Sequence, residues 1–399
     1  MQNALSLRQY ETIASKTDLF AQDPQAIQNL SYGFHGEVGG LLAAVKKQRR
    51  ETITQTNAEI AEEEIGDALW YLSTLARHSG FDFQQIGVQA IAALQRHLHV
   101  SAAKRSDSDL LFSEIDGLLA YQTKEIPEKT AKLLYDLARH TGMLFAVFDE
   151  SSGKIGTPHP EEQFGELFAH LGLVAASFGL RLEQIAEQNL DKIRSRWRLD
   201  DAPYHPLFDE DYLEHEKLLR KFEIEFIERD VRGKKFVVQQ LFKVNVGDPL
   251  TDNRAKADDY RFHDVFHLAY VAHLGWSPVI RGLLKLKRKS DPSVDENQDG
   301  ARAMIIEEGI ATWIFNYARD KEDFFVKVNE GKLEYGLLKQ VHTMVSGFEV
   351  DKCPLWQWEK AILSGFEIFR QLQEHRGGIV AVDMNTRTIT YRKSERGTS

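Results

Sequence analysis

EEEIGDALWYLSTLARHSGF, residues 62–81, is the stretch on which the fold turns. With Ile60 ahead of it, Ile60, Ile65, Leu69, Leu72 and Leu75 recur at helical rather than alternating spacing. This predicts a helix over 57–78, broken at Ser79-Gly80. Glu64 and Asp67 are three residues apart and share one face of it. Charged helical faces are usually plain surface. Here Ala68, Leu69, Trp70 and Tyr71 follow at once, so Asp67 stands at the edge of an apolar segment. Further helices are expected over 26–47 and 83–99, and a first one carries Leu5, Tyr10 and Ile13 ahead of Asp23-Pro24. Four helices with short connections predict an antiparallel bundle.

A similar pattern returns downstream. EEQFGELFAHLGLVAASFGL (161–180) lies on 62–81, and EQIAEQNLDKI (183–193) on QQIGVQAIAAL (84–94), both at a shift of 99. Tyr135, Gly142, Ala146 and Val147 lie on Tyr32, Gly39, Ala43 and Ala44 at a shift of 103, the difference falling in a loop. Residues 1–100 and 110–198 read as a tandem, diverged duplication joined by the polar linker 100–109. Two unrelated amphipathic bundles with chance matches are the alternative.

RLDDAPYHP (198–206) ends the helical region. FEIEFIER (222–229) and KFVVQQLFKVNV (235–246) then read as a hairpin. Helices are expected at 258–274, 299–319, 333–347 and 355–375, and a closing hairpin at 379–382 and 388–392. The fold class expected is therefore mainly α: an all-α N-terminal tandem bundle followed by a separate α+β domain over 206–399.

The 399 residues carry a formal net charge of −10, which argues against an extended nucleic-acid surface. The lone cysteine, Cys353, allows neither an intrachain disulfide nor a cysteine zinc site, which fits a reducing, cytoplasmic location. The first residues do not read as a signal peptide, and no apolar run reaches the roughly 20 residues of a membrane span.

Glu37, in HGEVGGLL (35–42), lies mid-helix beside Gly36, Gly39 and Gly40. If its helix packs against the next, Glu37, Glu64 and Asp67 converge. Crowded carboxylates repel, and a hard divalent cation such as Mg²⁺ relieves this while mediating contact with phosphates. The segments LSLRQYETIASKT (5–17), LSYGFHGEVGGLLAAVKK (30–47) and AEEEIGDALWYLSTLARHSGFDFQQI (61–86) together resemble the MazG-type nucleotide pyrophosphohydrolases, all-α enzymes related to the dimeric dUTPases. The resemblance covers roughly residues 5–98, with a weaker second copy to about 198. It implies Mg²⁺, with Mn²⁺ as the alternative, and hydrolysis of a nucleoside triphosphate to the monophosphate and pyrophosphate. The family pattern is E-x-x-E on one helix and E-x-x-D on the next. Glu37, Glu64 and Asp67 match it as metal-binding and catalytic residues, whereas Gly40 stands where the second glutamate belongs. Glu63 is the substitute ligand, about 100° around the helix from Glu64.

The second copy has His140, Met143, Gln163 and Glu166 in place of Glu37, Gly40, Glu64 and Asp67. Its tail, QNLDKIRSRW (188–197), resembles the family's substrate-facing end, which implies that Asn189, Lys192, Arg194 and Arg196 complete one composite site. An ordinary helix C-terminus with cations on the dipole is the alternative. Lys46 and Lys47 are candidate phosphate contacts, and Tyr32 and Trp70 candidate base-stacking residues that also suit a core. A homodimer, or a pseudo-dimer within one chain, would meet the family's dimeric need.

In DDYRFHDVFHLAYVAHLGW (258–276), Asp259, His263 and His267 recur every four residues, and H-x-x-x-H lets two imidazoles reach one metal. Glu307 and Glu308 are candidate carboxylate partners, and Asp264 a candidate orienting group or base. Hydrogen-bonded core histidines are the alternative. KLKRK (285–289) reads most simply as a solvated basic face, with a phosphate or partner contact as the alternative. Besides the pyrophosphohydrolase, two readings stay open: a nucleotide sensor coupled to a C-terminal effector, and a C-terminal metal-dependent hydrolase with a structural helical half.

Overall fold

The computed structural model describes residues 4–50, 56–100, 108–120, 130–148, 159–321 and 323–394; the side chains of 47–50 and 57 fall outside the described set. The chain divides into two compact units, Met1–Arg194 and Ser195–Ser399. Most of the expected linker at 100–109 lies outside the described residues.

The first unit is helical: α1 (Leu7–Ala14), α2 (Ala26–Arg50), α3 (Asn57–His78), α4 (Phe83–Leu98), α5 (Phe112–Leu119), α6 (Thr130–Phe148), α7 (Pro160–Ser177) and α8 (Leu182–Arg196), whose last two residues belong to the second unit. Local signals set the starts. Ser6 with Gln9, Thr56 with Glu59 and Asp82 with Gln85 form capping boxes at α1, α3 and α4. Each box satisfies two backbone N–H groups that the first turn leaves unpaired. Leu5, expected in the first helix, precedes it; the buried stripe is Leu7, Tyr10 and Ala14.

α2 packs along α3, α4 along α7, and α6 on both α2 and α7. Tyr10, Phe83, Phe112 and Phe168 are fully buried around one point, with Phe83 and Phe168 stacked at 4.9 Å. Burying each phenylalanine contributes up to about 3 kcal/mol.

Several contacts of this unit come in reciprocal pairs. Leu7 N–H donates to Leu110 O (2.9 Å) and Phe112 N–H to Leu5 O (3.1 Å), around an antiparallel bridge between Ser6 and Leu111. Glu11 accepts from the Phe83 N–H at the start of α4, and Asp116 accepts from Leu182 and Glu183 at the start of α8. Gly66 faces Asn189 and Ile185, while Gly165 faces Gln89 and Ala90.

The second unit holds an antiparallel five-stranded sheet in the order β3-β2-β1-β4-β5, built from β1 (Lys221–Val231), β2 (Lys234–Leu241), β3 (Val244–Leu250), β4 (Gly377–Asp383) and β5 (Thr388–Arg392). Phe222, Ile224 and Phe226 alternate inward along β1, as a half-buried strand requires. The expected strand over 235–246 is two strands. Phe242 and Lys243 take positive φ values of 50° and 63°, which turn the chain between β2 and β3.

α9 (Asp264–Leu274) is buried along its whole length. A helix enclosed all round is a core helix. α14 (Leu355–His375) packs on it, and both contact β4 and β5. α10 (Pro278–Leu284), α11 (Pro292–Asn297), α12 (Ala301–Lys321) and α13 (Tyr335–Met344) complete the unit. The helix expected from 258 begins only at Asp264. Asp259 is left-handed at φ 67°, and a 3₁₀ turn over Tyr260–Phe262 intervenes. The basic run at 285–289 is not simply a solvated face. Arg288 is buried and bonds Asp299 and Glu349, each at 2.7 Å. Among the described residues no helix is long and apolar enough to cross a membrane.

Candidate active site

The pairing of α2 with α3 brings Glu37 and Glu64 into hydrogen-bond contact, with Asp67 beside them. Burial, then the charges of Asp67 and Glu64 and the hydrogen bond with Glu64, push the Glu37 carboxyl up to about 8, against the pull of Lys192. Burial and the charges of Asp67 and Glu63 raise Glu64 too, opposed by its hydrogen bond with Glu37 and by Lys192. The pair therefore holds a proton near neutrality, with Glu37 donating. Gly40 lies directly under Glu64: a Cβ there would stand 2.4 Å from Glu64 Oε2. The volume a side chain at 40 would fill is taken by the Glu64 carboxylate.

α8 supplies the polar complement. Lys192 Nζ donates to Asp67 Oδ2 at 2.5 Å and lies 3.7 Å from Glu63 Oε1. Asn189 Nδ2 donates to Asp67 Oδ1 at 3.1 Å, and the buried Tyr10 hydroxyl donates to Asn189 Oδ1 at 2.9 Å. Tyr10 thus fixes which way the Asn189 amide faces. Tyr71 stands over Gly33, its hydroxyl raised by burial and by the charges of Glu37 and Asp67. Nothing in the local sequence marks Tyr10 or Tyr71 as a site residue.

Other candidates lie elsewhere. Lys46 is exposed, nine residues beyond Glu37 and so about 14 Å along α2. The Lys47 side chain is outside the described residues. Trp70 donates its indole N–H to Thr17 Oγ1 (3.0 Å) and Ala14 O (3.2 Å), tying α3 to the end of α1 rather than offering a free ring. Tyr32 is 54% exposed and, with Phe145, lines an open cleft of 1120 Å³ together with Gln28, Ser31 and His78. Arg194 pairs with Asp191 at 3.0 Å. Arg196 belongs to the second unit, where it is buried and donates to Glu359 (2.8 Å) and Leu333 O (2.6 Å). A guanidinium so committed to a buried carboxylate is a core ion pair.

At the corresponding place on α7, Glu166 is neutralised from within by Arg96 (2.6 Å) and His97 (2.9 Å). These contacts, His97 foremost, hold its carboxyl down at about 2 against burial. Gln163 donates to His140 O, and the His140 ring lies 4.4 Å from that of His170.

In the second unit His263, His267 and Glu308 come together. His263 Nε2 lies 3.6 Å from Glu308 Oε2 and 3.1 Å from Asp264 Oδ1, while His267 Nε2 lies 3.5 Å from Glu308 Oε1. Glu307 sits on the other nitrogen of His267, 2.8 Å from Nδ1. Burial opposes protonation of His267, yet Glu307 and Glu308 hold it above its ordinary range. Asp259 does not join them. It is bound by Arg261 and Arg376, because the left-handed residue and the 3₁₀ turn break the helical register that would have aligned it.

Fold and site define a class: a mainly α protein with acids crowded on neighbouring helices and an appended α+β unit. Residues 203–395 match the family model of the MazG C-terminal domain. Over 98 residues the chain is 35% identical to the gene 37 protein of Mycobacterium phage L5, an alignment covering 23% of this chain and 80% of the phage protein. No solved structure matches. The chain belongs to the MazG-type proteins, and that membership points to a hydrolase acting on nucleotides.

Proposed function

We propose that the helical unit is a Mg²⁺-dependent nucleotide pyrophosphohydrolase that converts a nucleoside triphosphate to the monophosphate and pyrophosphate. The observation that carries this is the convergence of Glu37, Glu64 and Asp67, where burial and the neighbouring acids push the Glu37 carboxyl up to about 8. An all-oxygen set that cannot carry its full negative charge alone fits a hard divalent cation. Glu37, Glu64 and Asp67 would hold Mg²⁺ or Mn²⁺, with Glu63 at the margin; when bound, the ion supplies neutralisation of the triphosphate charge. Lys192, now on Asp67, is among the described residues the cation nearest the acids and would turn to a phosphate oxygen. Tyr10 and Asn189 orient Asp67. Glu37 or Glu64, once deprotonated, would take the proton of the water that attacks phosphorus as pyrophosphate leaves.

The site reads as composite, with acids from residues 1–100 and the Asn189–Lys192 edge from a diverged copy over 110–198. The reciprocal contacts of Leu5–Leu7 with Leu110–Phe112, and of Gly66 and Gly165 with α8 and α4, support this. So does Glu166, paired with Arg96 and His97, which leaves the second location without the three-carboxylate set that suits Mg²⁺. Residues 206–399 are taken as the separate C-terminal domain.

The test is pyrophosphate release from a panel of nucleoside triphosphates with Mg²⁺. Wild type and Glu166→Gln should turn over similarly, and Glu64→Gln should lose at least about 100-fold in kcat, as removal of one charge-stabilising group typically does. Nucleotide binding without release by wild type would instead mean a sensor.

A further inference from the structure

The second unit carries a cluster that the pyrophosphohydrolase does not use. Two imidazoles and a carboxylate meet at the edge of a pocket of 820 Å³, bordered by His263, Asp264 and Glu308 and lined by Asp252, Tyr260 and Asn316. We propose that His263, His267 and Glu308 form a second metal centre for a first-row transition ion of the Zn²⁺, Co²⁺ or Fe²⁺ type, with Asp264 as an adjacent oxygen.

Three observations carry it. The first is spacing. Ligand atoms from the three residues lie within 4.8 Å of one another, and Glu308 offers one oxygen to each ring at 3.6 and 3.5 Å. Ligands about 2.0–2.2 Å from a common ion sit roughly 3–3.5 Å apart, so small side-chain shifts close the set.

The second is orientation. Glu307 is fully buried and bonds His267 Nδ1 at 2.8 Å, Ser277 Oγ at 2.6 Å and the Val279 N–H at 2.8 Å. His263 Nδ1 faces Tyr260 O at 2.9 Å, and its ring stacks on Tyr260 at 4.3 Å. Gln239 holds Asp264. Both rings are therefore anchored through Nδ1, which turns both Nε2 atoms toward Glu308. An imidazole whose far nitrogen is fixed by a carboxylate or a carbonyl is the usual support of a metal ligand.

The third is an unmet need. With Nδ1–H donating to Glu307, the buried Nε2 of the neutral His267 ring presents a lone pair with no hydrogen-bond partner, facing the Glu308 carboxylate at 3.5 Å. A buried polar atom left unpaired is costly. A cation would satisfy it, and two imidazole nitrogens favour a borderline ion over Mg²⁺.

The test uses the full chain, stripped with chelator and titrated with Zn²⁺ and separately with Co²⁺, following heat and the visible absorption of Co²⁺. One equivalent should bind in the presence of excess Mg²⁺. Glu308→Gln, at a residue 42% exposed, and His263→Gln should each weaken binding at least tenfold with circular dichroism unchanged. Glu64→Gln and Glu166→Gln should each leave this binding intact, which separates the centre from both acidic clusters of the helical unit. Absent binding, or equal affinity in wild type and both variants, would overturn the proposal.

Discussion

The Lys192 ammonium lies 2.5 Å from Asp67 and 3.7 Å from Glu63, serving as the cluster's own counterion. A charge-assisted bond of this kind is worth about 1.5–3 kcal/mol, or roughly tenfold or more in affinity. Lys192→Met should therefore raise KM for the triphosphate about tenfold in steady-state assays while leaving Mg²⁺ binding in place; unchanged KM would remove the residue from the substrate's path. His273 shows the opposite economy: both ring nitrogens are buried without hydrogen-bond partners. Burial, with Lys360 and Arg387, holds it down at about 3. The unfolded chain takes the proton near pH 6.5, the folded one does not, so stability is lost as pH falls below about 6.5. The loss reaches about 2 kcal/mol by pH 5. Urea denaturation at pH 7.5 and pH 5 should show this dependence shrinking in His273→Leu. Residue types and helical spacing made Glu37, Glu64 and Asp67 legible. Tyr10 was not, because its partner Asn189 is 179 positions away and nothing local marks the contact.

Elements were legible where their own ends carry the signal. The capping residues Thr56 and Asp82 lie in the short polar segments that begin α3 and α4, and the expected helix over 355–375 has the observed bounds. Misreadings fell where one or two residues leave the expected backbone region. Phe242 and Lys243 split a strand, and Asp259 delays α9 by a turn, yet none of the three is a glycine or proline that would announce a break. α10 and α11 are too short for periodicity to register. The contact of α9 with α14 depends on Gly365, where a Cβ would meet Ala269 Cβ at 3.2 Å and Phe266 Cδ1 at 3.3 Å. Gly365→Val overfills that seam and should destabilise the second unit by about 1–3 kcal/mol in urea denaturation. A loss below 0.5 kcal/mol, roughly the surface-substitution level, would show that the helices can separate freely.

At the scale of the whole chain, two units carry two kinds of donor set: oxygens alone in the first, nitrogen with oxygen in the second. Fold class was readable from hydrophobic periodicity, whereas the contacts that orient each set, Tyr10 on Asn189 and Ser277 on Glu307, were not. Cys353 offers a way to watch one unit alone. It is the only thiol, it is buried, and burial pushes it up to about 12. Native protein should resist iodoacetamide at pH 8, and labelling across a urea series should follow opening of the second unit, whatever the helical unit does.

Gly40 has a bearing on how such a site can change over generations. Because the Glu64 carboxylate rests where a side chain at 40 would begin, any residue larger than glycine meets that flexible carboxylate first and must swing it aside. Gly40→Glu on the present background forces Glu64 out of its hydrogen bond with Glu37 before any benefit can appear. Whether a fourth acid is tolerated at 40 is therefore decided by where the displaced Glu64 carboxylate comes to rest.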